Sequence, residues 1–251
     1  MSGSGNIIEL EHVDAGYPGA VILHDVTFSI RRGEVFILLG GSGCGKSTIM
    51  THMIGLNPVL AGRLTLDGQE WTTNTSDALC RKIGVMYQSG ALFGSMTCLE
   101  NVMLPLEEFT RLGRRDRIER AMARLRDVDL ADAADKMPSE ISGGMRKRVA
   151  IARAMALDPE VVFLDEPSAG LDPITSSALD DLILKLMAET GKTFVVVTHE
   201  LPSIYKIADR AAMFDKARRG MIALGDPREL RERCADDFVR KFFNRGADNG
   251  K

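Results

Sequence analysis

Residues 34–48 read EVFILLGGSGCGKST, and this stretch decides the fold. From Val35 to Leu39 the run is apolar without interruption, which suits a strand buried on both faces. The segment Gly40–Ser47, GGSGCGKS, then fits the pattern G-x-x-x-x-G-K-[ST] directly after a strand and ahead of a helical pattern. That context predicts a loop whose amides wrap phosphate, with the Lys46 ammonium on the β- and γ-phosphates and the Ser47 hydroxyl on Mg²⁺. The candidate phosphate-binding set is Gly40, Gly41, Ser42, Gly43, Cys44, Gly45, Lys46, Ser47 and Thr48.

Outward from the loop, apolar residues alternate or run on through residues 7–13, 21–30, 62–68 and 83–88, each stretch bounded by Gly, Asp or Asn. The first ninety residues therefore read as mostly strand. From about 97 to 157 the period becomes helical, in CLENVMLPL, RRDRIERAMARLRDVDL and GGMRKRVAIARAMAL. EVVFLDEP (160–167) and KTFVVVTHE (192–200) are buried strands flanking the helix ITSSALDDLILKLMAET. The alternation predicts an α/β fold with a parallel core sheet, an N-terminal antiparallel part and an inserted helical lobe. Its expected division is a nucleotide-binding core over 1–88 and 158–246, a helical lobe over 89–157 and a tail over 247–251.

With 251 residues, one large domain is the natural reading. A net charge of -3 supplies no global basic field, so nucleic acid is not expected as a partner. The apolar runs are strand-length, short of the roughly 20 residues of a membrane helix, and MSGSGNIIELEHV has no secretory pattern. Cys44, Cys80, Cys98 and Cys234 form no C-x-x-C pair, which suits reduced thiols. Cys44, beside Lys46 at a helix N-terminus, is the thiol expected to alkylate fastest. Six arginines between Arg114 and Arg126, with Ile118, Ala121, Met122 and Leu125 as an apolar stripe, read as a solvated helix face.

Two further constellations carry chemistry. Asp165 and Glu166 end an apolar strand at the edge expected for the phosphate loop; one can hold Mg²⁺ through water while the other polarises a nucleophilic water. His199 closes the next strand and is placed as a polar sensor of the γ-phosphate. In ISGGMRKRVAIARAM (141–155), Ser142, Gly143 and Gly144 open a helix, a second place where amides can approach an anion.

In this order Tyr17, GGSGCGKST, Gln88, SGGM, FLDEP, SAGLD and His199 resemble the nucleotide-binding subunits of ABC transporters over essentially the whole chain. The resemblance implies that ATP and Mg²⁺ are the cofactors. Tyr17 would stack on adenine, Gln88 would join Mg²⁺ to a transmembrane permease, Glu166 would be the catalytic base, and Asp172 would belong to the nucleotide-binding set. It also implies head-to-tail pairing with a second copy, Ser142–Met145 of one chain closing over the ATP on the other chain's phosphate loop. That would explain why one chain carries two phosphate-facing elements.

Finer features, GALFGSMTCLENVMLPL, PSEISGGMRKRVAIARAMALDP and DEPSAGLDPI, resemble the ATPases of Mla/MCE-type bacterial phospholipid transporters. Met145 stands where most ABC proteins have Gln, and in the lipid-transport branch Met is common. This resemblance implies a peripheral ATPase on the cytoplasmic face of a bacterial inner membrane. Its further partners would include a small regulatory subunit and a periplasmic MCE lipid-binding protein. A small-solute importer ATPase and a soluble non-transport ABC ATPase are the alternatives. Within QSGALFGSMTCLENVMLPL (88–106), Phe93 is the expected contact for a docking helix of the permease.

Overall fold

The computed structural model describes residues 5–72 and 77–244, so the tail assigned to 247–251 lies outside the described residues. The chain divides into two compact units, Met1–Ser76 with Thr193–Lys251, and Asp77–Lys192.

The first unit begins with strands β1 (Asn6–Tyr17), β2 (Ala20–Arg31) and β3 (Val35–Gly40) and helix α1 (Lys46–Met53), followed by strands β4 (Ala61–Leu66) and β5 (Gln69–Glu70). An antiparallel sheet runs in the order β2-β1-β4-β5. Alternation in the sequence ends near Val13, yet β1 continues to Tyr17, because register shifts against β2 after Leu10 and Val13 absorb the break. All six residues of β3 are buried, as a strand covered on both faces requires.

The second unit contains α2 (Asp77–Cys80), β6 (Ile83–Met86), α3 (Cys98–Phe109), α4 (Arg114–Asp127), α5 (Gly143–Ala154), β7 (Val161–Asp165) and α6 (Pro173–Thr190). Strands β6 and β7 pair in parallel, with Met86 opposite Leu164, and the helices α3 to α5 form the crossover between them. Thr97 caps α3 in a reciprocal box with Glu100. Asn101, fully buried on α3, donates to the carbonyls of Phe93, Met96 and Thr97 and accepts from the Phe93 amide. The loop leading into α3 is therefore fixed from inside.

The chain then returns to the first unit with β8 (Thr193–Val197), α7 (Leu201–Ile207), β9 (Arg210–Asp215), β10 (Gly220–Gly225), α8 (Pro227–Arg233) and α9 (Asp237–Asn244). Strand β3 is flanked by β8 and β9, both parallel to it, while β10 pairs antiparallel with β9. No strand or helix is expected from the sequence after Glu200. RAAMFD, the β9 segment, is rich in alanine and weak in β-formers; pairing along β3 makes it a strand.

Candidate functional site

In the first unit the loop Gly40–Gly45 joins β3 to α1. Gly40 has φ 146, and a Cβ there would lie 2.4 Å from the Phe214 carbonyl oxygen and 2.6 Å from Cys44 Sγ. Gly45 caps α1 at φ 103, where a Cβ would strike Leu23 at 2.7 Å. These two glycines are required by the loop's own path. Helix α1 has neither a side-chain N-cap nor an acidic residue in its first turn, so its amide-rich positive end is uncompensated and suits an anion. Lys46 folds back over the loop, its Nζ donating to the carbonyls of Gly40 at 2.9 Å and Gly41 at 3.1 Å. Ser47 is exposed beside it.

His199 follows from strand register. Val197 of β8 pairs with Leu38 of β3, so two residues further on the exposed His199 leaves its strand level with Gly40, where the loop opens. Tyr17, about half exposed, ends β1. His52, fully buried on α1, holds that strand end: its Nε2 accepts from the Gly16 amide at 3.0 Å, while Nδ1 lies 3.0 Å from the Asn57 carbonyl oxygen. The two contacts fix a neutral ring with the proton on Nδ1. The helix that follows the phosphate loop thus also holds the strand bearing Tyr17. Cys44 is 2% exposed, which reverses the expectation of fast alkylation, because a thiol must reach solvent to react; Cys80 is the exposed cysteine.

In the second unit, Met86 opposite Leu164 brings Gln88 and Glu166 level, each two residues past that pair. Gln88 is exposed, whereas Asp165 and Glu166 are half-buried. Glu166 has φ 45, a left-handed backbone that costs a non-glycine residue about 1–3 kcal/mol and concentrates at functional sites. Ser142 caps α5, its Oγ accepting from the Met145 amide at 3.2 Å, and the Ser142 carbonyl takes the Arg146 amide. The amides of Gly143 and Gly144 are left without intrahelical acceptors, as a phosphate-facing helix start requires. Asp172 caps α6, accepting from the amides of Ile174 and Thr175 and from Thr175 Oγ1 at 2.6 Å; the hydroxyl bond leads in holding its carboxyl below the ordinary aspartate range.

Lys147, on α5, was not singled out by the sequence reading. Its buried ammonium donates to the Gln88 carbonyl and, at 3.4 Å, to the Glu166 carbonyl. Burial pushes its pKa below the usual lysine range, opposed by the carboxylates of Asp165 and Glu166. Arg153, further along α5, donates to the carbonyls of Gly90 and Ala91, both at 2.7 Å. One signal was available: Lys147 lies on the helix stripe that carries Gly144, Ala150 and Ile151, where an apolar residue would be expected.

Of the apolar residues in 88–106, Met103 is buried and Leu92, Met96, Leu99 and Leu104 are partly buried, while Phe93 is 50% exposed. Nearby in the same unit, Ile83, Val85, Pro105, Phe109 and Leu157 line an apolar cavity of about 200 Å³, with Cys80 at its wall. Among the described residues no cluster of three or more His, Cys, Asp or Glu side chains could hold a metal, and no helix is long and apolar enough to cross a membrane.

The family model described as "ABC transporter" matches residues 23–169. The chain is 36% identical over 243 residues to a probable ribonucleotide transport ATP-binding protein, Mkl, of Mycobacterium leprae, covering 96% of this chain and 69% of that one. It is 35% identical over 246 residues to the intermembrane phospholipid transport ATP-binding protein MlaF of Escherichia coli, covering 97% and 90% of the two chains. A dimeric ATP-binding cassette solved with ADP and Pi in a post-hydrolysis state superposes with a TM-score of 0.77 at 31% identity, over 88% of this chain and 98% of that one.

Proposed function

Because this chain belongs to the ABC transporter family and is an ATP-hydrolysing transport subunit, we propose that it drives phospholipid movement through a separate permease of the bacterial inner membrane. The observation that carries the phospholipid reading is the near end-to-end likeness to MlaF, over 97% of this chain and 90% of that one. The likeness to Mkl favours a second reading, a small-solute transporter handling nucleotides.

In the proposed mechanism the amides of Gly40–Gly45 and the Lys46 ammonium hold the ATP phosphates, Tyr17 stacks on the adenine, and His199 touches the γ-phosphate. Ser47, Gln88 and Asp165 offer hydroxyl, amide and carboxylate oxygens, the hard donors Mg²⁺ takes, and a site shared with phosphates has no need of an acidic cluster. Bound Mg²⁺ supplies charge neutralisation at those phosphates. Glu166 takes the proton of the attacking water. A second copy of the chain presents Ser142–Met145 and Asp172 to the same ATP, so two composite sites form per head-to-tail dimer. The core over 1–88 and 158–246 carries the nucleotide and the lobe over 89–157 carries the SGGM element.

The permease docks on the segment 88–106, where the half-exposed Phe93 offers a contact. The subunit sits peripherally on the cytoplasmic face of the membrane. A small regulatory subunit and a periplasmic MCE lipid-binding protein complete the assembly. The test is the ATPase rate of the assembled transporter in detergent, with phospholipid or ribonucleotides added. Stimulation by phospholipid alone supports the proposal; stimulation by ribonucleotides alone replaces it with the second reading.

A further inference from the structure

Resting on the ATPase reading above, we propose that Lys147 is a positioning residue for hydrolysis. It fastens the helix that begins at Ser142 to the strand ends carrying Gln88 and Glu166, so that the three keep one geometry. The lysine occupies a stripe of α5 where Gly144, Ala150 and Ile151 are buried, and it is itself only 8% exposed. An ammonium in such a place is unfavourable unless its N–H groups are engaged, and a methionine would pack as well if filling space were the whole requirement. Its N–H groups go to main-chain carbonyls at two strand ends, those of Gln88 and Glu166.

Those carbonyls matter because of the backbone they belong to. Among the described residues of the second unit, the non-glycine residues with positive φ are Ala91, Asp129, Asp158 and Glu166. Aspartate tolerates this conformation through its short polar side chain, whereas alanine and glutamate do not. Ala91 and Glu166 are therefore the strained positions, and each has its carbonyl held by a cation from α5: Glu166 by Lys147, and Ala91 by Arg153 at 2.7 Å. Strain of this kind persists only where the surroundings over-determine it. Helix α5 supplies that determination, and it is the helix whose first turn carries Ser142, Gly143 and Gly144. A displacement at the helix start is thereby transmitted to the backbone of Glu166 and to the loop that leaves Gln88.

The test uses the purified full chain and its variants Lys147→Met, Lys147→Gln and Lys147→Arg. Lys147→Met should bind ATP within about twofold of the parent, since the phosphate loop lies in the other unit, yet lose about tenfold or more in kcat from misplacement alone. Lys147→Arg, which keeps the donors, should restore kcat to within about threefold of the parent. Amide exchange in Lys147→Met should quicken about tenfold across residues 88–92 and 165–168 and remain parental in the phosphate loop. Parental kcat in a folded Lys147→Met chain overturns the proposal. So does a collapse of Tm in both the Met and Gln variants, or uniformly faster exchange across the second unit, because either would make Lys147 an ordinary core residue. A parent without ATPase activity removes the functional reading and this inference with it, whereas an active parent with an equally active Met variant removes the inference alone.

Discussion

Placing an alanine at Gly144 separates two reasons for a glycine at the start of α5. A Cβ at this position would lie 2.5 Å from Thr175 Cγ2, about 1 Å inside ordinary carbon–carbon contact. Thr175 cannot easily turn away, because its Oγ1 bonds Asp172 Oδ2 at 2.6 Å and a β-branched side chain has few rotamers to choose from. Overpacking of this size costs about 1–3 kcal/mol, while replacing glycine by alanine in a helix returns about 1 kcal/mol. Gly144→Ala should therefore destabilise by about 0–2 kcal/mol, which at 2–4 °C per kcal/mol lowers Tm by up to roughly 8 °C. Thr175→Ser removes Cγ2 and keeps the hydroxyl. In that background Gly144→Ala should be neutral or stabilising by up to about 1 kcal/mol, giving a coupling energy of about 1–3 kcal/mol in a double-mutant cycle read by thermal melts. ATPase activity should stay low in the double variant, because the new methyl still stands at the amides that the proposal turns toward a phosphate. Equal Tm losses in both backgrounds would refute the steric argument, and full ATPase recovery in the double variant would show that Gly144 serves packing alone.

Other outcomes follow from the same geometry. Limited maleimide labelling with peptide mapping should modify Cys80 ahead of the buried Cys44, and labelling of Cys44 first would contradict the loop packing. Phe93→Asp should weaken co-purification with the permease while ATP affinity and Tm stay near parental, since the ring is half exposed and the loop is held by Asn101; undiminished permease binding would remove the docking assignment. The Asp158 carboxyl is held below the ordinary aspartate range by its bond to Lys192 at 2.8 Å, so its contribution is present above about pH 4 and is lost as pH falls through the folded-state value. Asp158 is largely exposed, so Asp158→Asn, which tolerates the same left-handed backbone, should lower Tm at pH 7 by no more than about 1–4 °C, and the difference should close as pH falls below the folded-state value. A difference that widens on acidification would reverse the sign of that pair's contribution.

The turn from β3 into α1 was legible because its pattern is local: an apolar run, glycines at fixed spacing, then Lys46 and Ser47 at a helix start. The strands around it followed from period and length, and the caps Ser142 and Asp172 stand where helix-start chemistry puts them. What periodicity could not carry was long-range. β9 is a strand because it lies along β3, and its Ala211-Ala212-Met213-Phe214 core gives no local sign of that. His52 sits in a short helix among apolar residues, and only the fold discloses that it holds Gly16. Lys147 did leave a trace, a charge on an apolar stripe, yet its partners are main-chain carbonyls, which no side-chain pattern encodes. Cys44 was misjudged for a related reason: its neighbours in sequence suggested a reactive thiolate, while the bend at Gly40 closes over its sulfur.

The central claim is that the two phosphate-facing elements of one chain serve different ATP molecules. It is tested most directly by mixing Lys46→Ala chains with Gly143→Asp chains and purifying the mixed dimer through two affinity tags. Pairing in trans leaves one composite site with an intact phosphate loop from one chain and an intact Ser142–Met145 segment from the other. The account therefore predicts ATP bound at one site per mixed dimer, with hydrolysis well above that of either homodimer. Hydrolysis no greater than in the two homodimers would mean that each chain uses its own elements, and the composite site would be wrong.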